Sequence, residues 1–304
     1  MEDPTPSPEL GRELFLRRGI DPSHATPQQL AAASCAAEIG RTTLELSSHH
    51  KERLISDPTW GLVLSALWRV QEYAEGAIAT ALVSLPTAEI VSRTVVEGSI
   101  NVQFILTGDP KQRLHSYLCA YLEQEETQNK KWSAEVDLLP PGEEAEEHRR
   151  SLAQKTKVIA FQRVVVDQWF NDLGSDTKQS KNWGSAFDRF KAVGQAIEYR
   201  TTYAALCSQA HNDAEDLINS FVVQATDNHD AISSLRRETH AFSWFAVTLG
   251  LRHYARAARA YWNHFALLPD SVAQQLIASV DMLATDAAER VRTSTERHAS
   301  ASDL

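Results

Sequence analysis

The stretch of sequence that decides the fold is residues 244–265, WFAVTLGLRHYARAARAYWNHF. Large apolar side chains recur along it at alternating steps of three and four residues, which is the period of one face of an α-helix. This apolar seam consists of Trp244, Val247, Leu251, Tyr254, Ala258, Tyr261 and Phe265. Such a seam predicts a long helix that packs antiparallel against neighbouring helices.

The same helical period recurs along most of the chain, and capping residues mark where helices begin. Thr26, Asp57 and Asp109 each precede a proline, which is favoured in the first turn of a helix. The chain has only 12 glycines and 11 prolines in 304 residues, too few for the many turns of an all-β protein. We therefore predict an all-α bundle of seven or eight helices, with one small β-hairpin near 220–235.

The domain organisation follows from the same pattern. Residues 1–24 are expected to form a disordered N-terminal arm, residues 25–292 a single helical-bundle domain, and residues 293–304 a disordered tail. Within the domain, an N-terminal helix at 26–54 is expected to pack on a core unit at 57–292.

Composition excludes several classes of function. A net charge of −10 disfavours nonspecific binding of nucleic acid, and no apolar run is long enough to span a membrane. Cys35, Cys119 and Cys207 are widely separated, which predicts neither disulfides nor a zinc site. The motifs of phosphate loops, dinucleotide sites and zinc proteases are missing, so no cofactor and no metal are expected. These features together predict a soluble, cytoplasmic protein.

Two ionisable residues interrupt an otherwise apolar helix at about 87–106. Arg93 and Glu97 are four residues apart and therefore lie side by side, where they are expected to pair. Their order, with the cation first, is the weaker one for a surface helix, which favours a functional site. The alternative is a buried ion pair that ties helices together.

A second group of polar residues shares one helix face. Arg200, Tyr203, Cys207 and His211 follow each other at steps of three and four, and Ser208 precedes the histidine by one turn. Histidine can act as an acid or base near neutral pH, and arginine can hold a phosphate or carboxylate. The alternative is that the histidine only satisfies carbonyl groups at a helix end.

A third group is the polar row opposite the apolar seam, which contains Arg252, Arg256, Arg259 and Asn263. Three arginines in a row could contact phosphates. In an acidic protein, however, such a row is more typical of a solvated helix face.

Three groups of residues resemble the motifs of an uncharacterised family of bacterial helical proteins with a domain of unknown function. They are Arg93-x-x-x-Glu97, Gly194 followed by Tyr199 and Tyr203, and Ser208-x-x-His211. The resemblance covers about residues 62–261. That family in turn resembles the HEPN superfamily of helical bundles, which implies metal-independent ribonucleases in stress or phage defence.

The ribonuclease motif of that superfamily, an arginine followed four to six residues later by histidine, falls within a strongly predicted helix at Arg259 and His264. Ala260 stands where the motif has a polar residue. We therefore expect the functional site at the residues that match the motifs of the uncharacterised family, which are Arg93, Glu97, Ser208 and His211.

The sequence thus predicts a polar pocket between helices that binds a small anionic or nucleotide-like ligand. One alternative is a metal-independent ribonuclease that acts on RNA through His211 or through Arg259 and His264. The other is a non-catalytic oligomeric scaffold, with a homo-oligomer formed through the 244–265 helix. The candidate residues are His211, Arg93 and Glu97 for catalysis, and Arg200, Tyr203 and Ser208 for ligand binding.

Overall fold

The computed structural model describes residues 7–174, 183–210, 221 and 229–302, and every regular element in them is helical. The helices are α1 (Pro8–Arg17), α2 (Pro27–His49), α3 (Lys51–Ser56), α4 (Pro58–Thr80), α5 (Leu85–Leu106), α6 (Pro110–Val136), α7 (Glu143–Asp172), α8 (Ala186–Ala192), α9 (Ala196–Glu198), α10 (Ala204–Ala210), α11 (His229–His264) and α12 (Asp270–Ser302). The all-α prediction is confirmed, but short breaks produce more helices than the seven or eight expected. None of the described helices is long and apolar enough to span a membrane.

Packing divides the chain into two compact units, where the sequence predicted one domain. Unit 1 comprises Met1–Leu106 together with Ala186–Leu304, and unit 2 comprises Thr107–Ser185. A segment in the middle of the chain thus forms a unit of its own, and its two flanks fold together.

The core of unit 1 is built around α11, which packs against α2, α4, α5 and α12. The indole of Trp60 stacks on Phe265, with ring centroids 5.0 Å apart, and donates a hydrogen bond to the hydroxyl of Tyr261. Trp262 donates from Nε1 to the hydroxyl of Thr43 on α2 at 3.1 Å. These large aromatic side chains are buried with their polar atoms bonded, as a stable core requires.

The apolar seam of α11 is buried inside the same chain. All seven of its residues, from Trp244 to Phe265, are at most 8% exposed. A surface that already packs against four helices of its own unit is not available to a second copy. The predicted homo-oligomer through the 244–265 helix would need this seam at its interface, but the seam is already buried within the chain.

Residues 8–17 form helix α1 instead of part of a disordered arm. Gly11 approaches α2 so closely that a Cβ atom at this position would clash with the carbonyl oxygen of Leu30, and its amide donates to Ser34 Oγ at 3.1 Å. The buried carboxylate of Glu75 on α4 binds the guanidinium groups of Arg17 and Arg18 at 3.0 and 2.9 Å. Tertiary contacts thus order a segment whose composition resembles that of a flexible arm.

Three other boundaries differ from the sequence prediction. The helix expected at 26–54 ends at His49, and α3 follows it. The hairpin expected near 220–235 is wrong for residues 229–235, which open α11; residues 220 and 222–228 lie outside the described part. The tail expected at 293–304 is helical as far as Ser302.

Unit 2 is a hairpin of two long antiparallel helices, α6 and α7. Asp109 caps α6 by accepting from two backbone amides, and the turn that contains Pro140 and Pro141 separates the helices. Contacts along the hairpin include an ion pair between Arg163 and Glu126, with Nε and Oε1 2.9 Å apart.

Candidate functional site

Glu97 on α5 is the centre of a polar cluster in unit 1. Its Oε2 accepts a hydrogen bond of 2.9 Å from the hydroxyl of Tyr203, and its Oε1 lies 3.7 Å from Nη2 of Arg189 on α8. The Glu97 side chain is 39% exposed, whereas that of Arg189 is 8% exposed. Among the described residues, Glu97 thus forms its ion pair with Arg189 and not with Arg93, the partner expected from sequence.

Arg93 lies one turn before Glu97 and faces the same tyrosine. Its guanidinium carbon is 5.9 Å from the centroid of the Tyr203 ring. Burial lowers the pKa of Arg93, but the neighbouring Cys207 and Tyr203 side chains raise it by more, so the net change is upward. Its Nε atom is buried and has no hydrogen-bond partner among the described residues. Arg93 therefore keeps unused donor capacity.

A π-helical turn, Tyr199–Tyr203, positions Tyr203 in this cluster. The amide of Ala204 donates to the carbonyl of Tyr199, five residues earlier, which widens the helix by one residue. Upstream, Gly194 adopts a positive φ of 77°, a conformation that glycine tolerates best, and separates α8 from α9. Burial first, and Glu97 second, raise the pKa of Tyr203, so its hydroxyl stays a neutral donor.

Aromatic rings continue the cluster away from Glu97. Phe187, Phe190, Tyr199 and Tyr203 form a chain of ring contacts with centroids 5.0 to 5.5 Å apart. The exposed guanidinium of Arg200 lies 4.4 Å from the centroid of Phe187. We call these four rings the aromatic cluster; it carries an arginine at each end.

The remaining predicted site residues cannot be compared with this geometry. His211 and the side chain of Ser208 lie outside the described residues, although the backbone at position 208 belongs to α10. Of the six predicted residues, Arg93, Glu97 and Tyr203 come together, and Arg200 lies at the other end of the aromatic cluster.

Sequence reasoning missed the ion-pair node around Glu198 on α9. This carboxylate receives Arg256 Nη1 at 3.1 Å, His253 Nε2 at 3.2 Å and Arg252 Nη2 at 3.3 Å, all from α11. Two arginines of the polar row are therefore engaged with a carboxylate of their own unit. The signal was present in the sequence, because residues 252, 253 and 256 share one helix face, but their partner is 54 to 58 residues away.

The contacts in this node shift the pKa values of Glu198 and His253. Burial raises the pKa of Glu198, but hydrogen bonding and charge from His253, and then Arg256, lower it to about 2. Burial lowers the pKa of His253, against the opposing effect of Glu198. The carboxylate is thus ionised at every pH near neutrality, and within the described part of the chain it has more partners than Glu97.

The other end of the polar row is also paired. Arg259 binds Asp270, the first residue of α12, through two hydrogen bonds of 2.9 Å, and Asn263 donates to the same carboxylate at 2.7 Å. His264 packs against Phe265 with ring centroids 4.8 Å apart. Arg259 is therefore occupied by an ion pair with the first residue of α12, which weighs against its use as a phosphate ligand.

In unit 2, three side chains come together that the sequence analysis did not group. His115 and Cys119 are one turn apart on α6, with Nε2 and Sγ separated by 3.4 Å, and Asp167 on α7 places Oδ1 3.5 Å from the same nitrogen. The three ligand atoms all lie within 4.8 Å of one another. The His-x-x-x-Cys spacing is readable in the sequence, but the carboxylate joins it only through the hairpin.

The comparisons with known proteins add one finding. Nothing among the curated proteins or the solved structures matches the chain. A family of unknown function (DUF5677) matches residues 83–230, which are 148 of the 304 residues. This similarity spans Glu97, Tyr203 and the whole of unit 2, and it assigns no activity to them.

Proposed function

We propose that the protein binds a small anionic or nucleotide-like ligand at the polar cluster of unit 1. The observation that carries this proposal is that Arg189 and Tyr203 both contact Glu97, while Arg93 faces the Tyr203 ring of the aromatic cluster. The candidate contacts are Arg93, Arg200, Tyr203 and Ser208, with His211 and Glu97 as further candidates.

Charge supports an anion as the ligand. Arg189 beside Glu97 and Arg93 beside Tyr203 place two positive charges in the polar cluster, in a chain whose net charge is −10. The ion pair between Arg189 and Glu97 is 3.7 Å long, which exceeds a good hydrogen bond. Arg93 in addition has a buried Nε donor without a partner among the described residues.

The aromatic rings support a ligand that has a planar group. Phe187 and Tyr199 are only partly buried, and Arg200 covers the Phe187 ring at 4.4 Å. Aromatic and guanidinium faces together form the surfaces on which nucleobases stack. Arginines at both ends of the cluster supply positive charge for a phosphate beside a stacked base.

Isothermal titration of the full chain with ATP, and separately with inorganic phosphate, tests the proposal. We expect ATP to bind the wild type and Arg93→Met to weaken binding about tenfold or more, since one charge-assisted hydrogen bond is lost. Glu97→Ala should cost more free energy in ATP binding than in folding, because Glu97 holds Tyr203 and Arg189 in place.

Arg69→Met is the matched control, because Arg69 is an exposed arginine on α4 that pairs only with its helical neighbour Glu72 among the described residues. Equal ATP affinity in Arg93→Met, Arg69→Met and the wild type would refute the proposed site. Binding of phosphate as tight as that of ATP would limit the ligand class to simple oxyanions.

The two alternatives have less support. Ribonuclease activity through Arg259 and His264 requires an arginine that Asp270 already binds. An oligomeric scaffold would use the apolar seam of α11 as its interface, but that seam is buried in the core of unit 1. Cleavage of labelled RNA in EDTA, compared between the wild type and the His211→Ala and Arg259→Ala variants, tests the nuclease directly. Activity lost in one variant would favour that nuclease and a role in defence over ligand binding alone.

A further inference from the structure

We propose that unit 2 binds a transition-metal ion, Zn²⁺ in particular, through His115, Cys119 and Asp167. The ligand atoms are Nε2 of the imidazole, Sγ of the thiolate and a carboxylate oxygen of Asp167. This inference does not depend on the proposed function, because none of the three residues belongs to the polar cluster of unit 1.

Two of the three separations between ligand atoms fit one tetrahedral ion, and the third is within 4.8 Å. Zinc bonds of about 2.0 Å to nitrogen or oxygen and about 2.3 Å to sulfur place two ligands of a tetrahedron about 3.3 to 3.6 Å apart. Nε2 of His115 lies 3.4 Å from Sγ of Cys119 and 3.5 Å from Oδ1 of Asp167. Small side-chain rotations would therefore suffice to close the site around an ion.

The arrangement does not fit a catalytic triad. In a triad, one imidazole nitrogen faces the nucleophile and the other faces the carboxylate, so that a proton can pass through the ring. Here, Cys119 and Asp167 both face Nε2 of His115. Convergence of three donors around one point is the geometry of ligands that share an ion.

The surroundings make this set of ligands suitable for zinc. His115 is buried against the ring of Phe170, with centroids 4.8 Å apart, which fixes the plane of the imidazole. The Asp167 side chain is 47% exposed, which leaves a water molecule free to take the fourth position. Three protein ligands and one water are typical of zinc sites with an open position.

The charges of the occupied site also balance. A thiolate at Cys119 and a carboxylate at Asp167 together neutralise a divalent cation. Arg163 carries a positive charge close to Cys119. Glu126 holds Arg163 at 2.9 Å and offsets its positive charge.

Cobalt substitution tests the site directly. The full chain, stripped of metal by a chelator and kept reduced with a phosphine, is titrated with Co²⁺ and then with Zn²⁺. We expect one Co²⁺ to bind per chain. Its spectrum should show the visible absorption bands of tetrahedral Co²⁺ and a thiolate-to-cobalt charge-transfer band in the ultraviolet, and both bands should disappear when Zn²⁺ displaces the Co²⁺. Zn²⁺ should also raise the melting temperature of the wild type.

Two variants identify the ligands, and two serve as controls. Cys119→Ser should abolish the charge-transfer band, and Asp167→Asn should weaken Co²⁺ binding about tenfold or more. Both residues are only partly buried, so both variants should fold. Cys35→Ala, outside unit 2, and Asp172→Asn, at an exposed position of α7, should bind Co²⁺ like the wild type.

Two results would overturn the proposal. One is a folded wild type, checked by its helical circular dichroism, that binds no Co²⁺ or Zn²⁺ at micromolar concentrations. The other is a charge-transfer band that persists in Cys119→Ser or disappears in Cys35→Ala, which would place the metal on another cysteine.

Discussion

Two carboxylates of unit 1, Glu198 and Glu97, sit in the same region of the fold and differ in how they are held. Glu198 receives two arginines and a histidine, with every contact between 3.1 and 3.3 Å, and its pKa is lowered to about 2. Glu97 receives one tyrosine hydrogen bond and one ion pair of 3.7 Å.

The difference separates a structural ion pair from a site that can change partners. The bonds of Glu198 tie α9 to α11 and leave its carboxylate little capacity for another ligand. The Glu97 side chain is 39% exposed against 25% for Glu198, and among the described residues it has fewer contacts and a longer ion pair. A carboxylate with several close charged partners mainly holds a fold in place, whereas one with fewer and longer contacts is a candidate for binding.

The largest expected effect is on stability, from Glu198→Gln. Removal of this charge leaves Arg252, Arg256 and the buried His253 without their carboxylate, and we expect a loss of roughly 3 kcal/mol in the free energy of unfolding. Urea unfolding followed by circular dichroism measures it. A loss as small as that of Glu97→Gln would contradict the distinction between the two carboxylates.

The low pKa of Glu198 also predicts how the free energy of unfolding depends on pH. Because the folded pKa of Glu198 is lowered from 4.5 to about 2, its stabilising contribution is complete above pH 4.5 and is lost as the pH falls towards 2. The difference in unfolding free energy between wild type and Glu198→Gln should shrink over that range. Urea unfolding of both proteins at several pH values checks this, and a constant difference would argue against an ionised Glu198 as the cause.

A smaller effect is expected from Tyr203→Phe, which removes the hydrogen bond to Glu97 but keeps the ring in the core. The loss should be about 1 kcal/mol, the net value of a typical hydrogen bond. Thermal unfolding measures it beside Tyr199→Phe, a neighbouring tyrosine of the same π-helical turn. Equal losses in the two variants would mean that the bond to Glu97 adds nothing specific.

The smallest effect on stability is expected from Arg200→Gln. This guanidinium is exposed and contacts only ring faces among the described residues, so its removal should cost about 0.5 kcal/mol or less. If the aromatic cluster binds ATP, the same variant should weaken ATP binding measurably. A large loss of stability with unchanged ATP affinity would reverse the roles assigned to Arg200 and Glu198.

Local signals were sufficient to predict where several helices begin. Thr26, Asp57 and Asp109 all cap helices as expected, because a capping hydrogen bond involves only residues within one turn. The apolar seam of α11 was also predicted correctly, because its period depends only on the geometry of a single helix. The order of α1 could not be predicted, since it depends on Ser34 and Glu75, which are distant in sequence.

The candidate site was predicted only in part, for the same reason. The spacing of Arg93 and Glu97 placed them on one face of α5, but the partner of Glu97 is Arg189, 92 residues later. A four-residue spacing shows which side chains are neighbours on a helix, not which of them bond. The seam of α11 likewise predicted burial but could not distinguish the protein's own core from a dimer interface.

The sequence by itself thus determined that the chain is helical, where its capped helices begin and which faces are apolar, because these properties arise from interactions within a few residues. Only the tertiary structure decided which charges meet, as at Glu198 in unit 1 and at His115 and Asp167 in unit 2. Such pairings depend on how distant helices pack, and many pairings are compatible with the same local pattern.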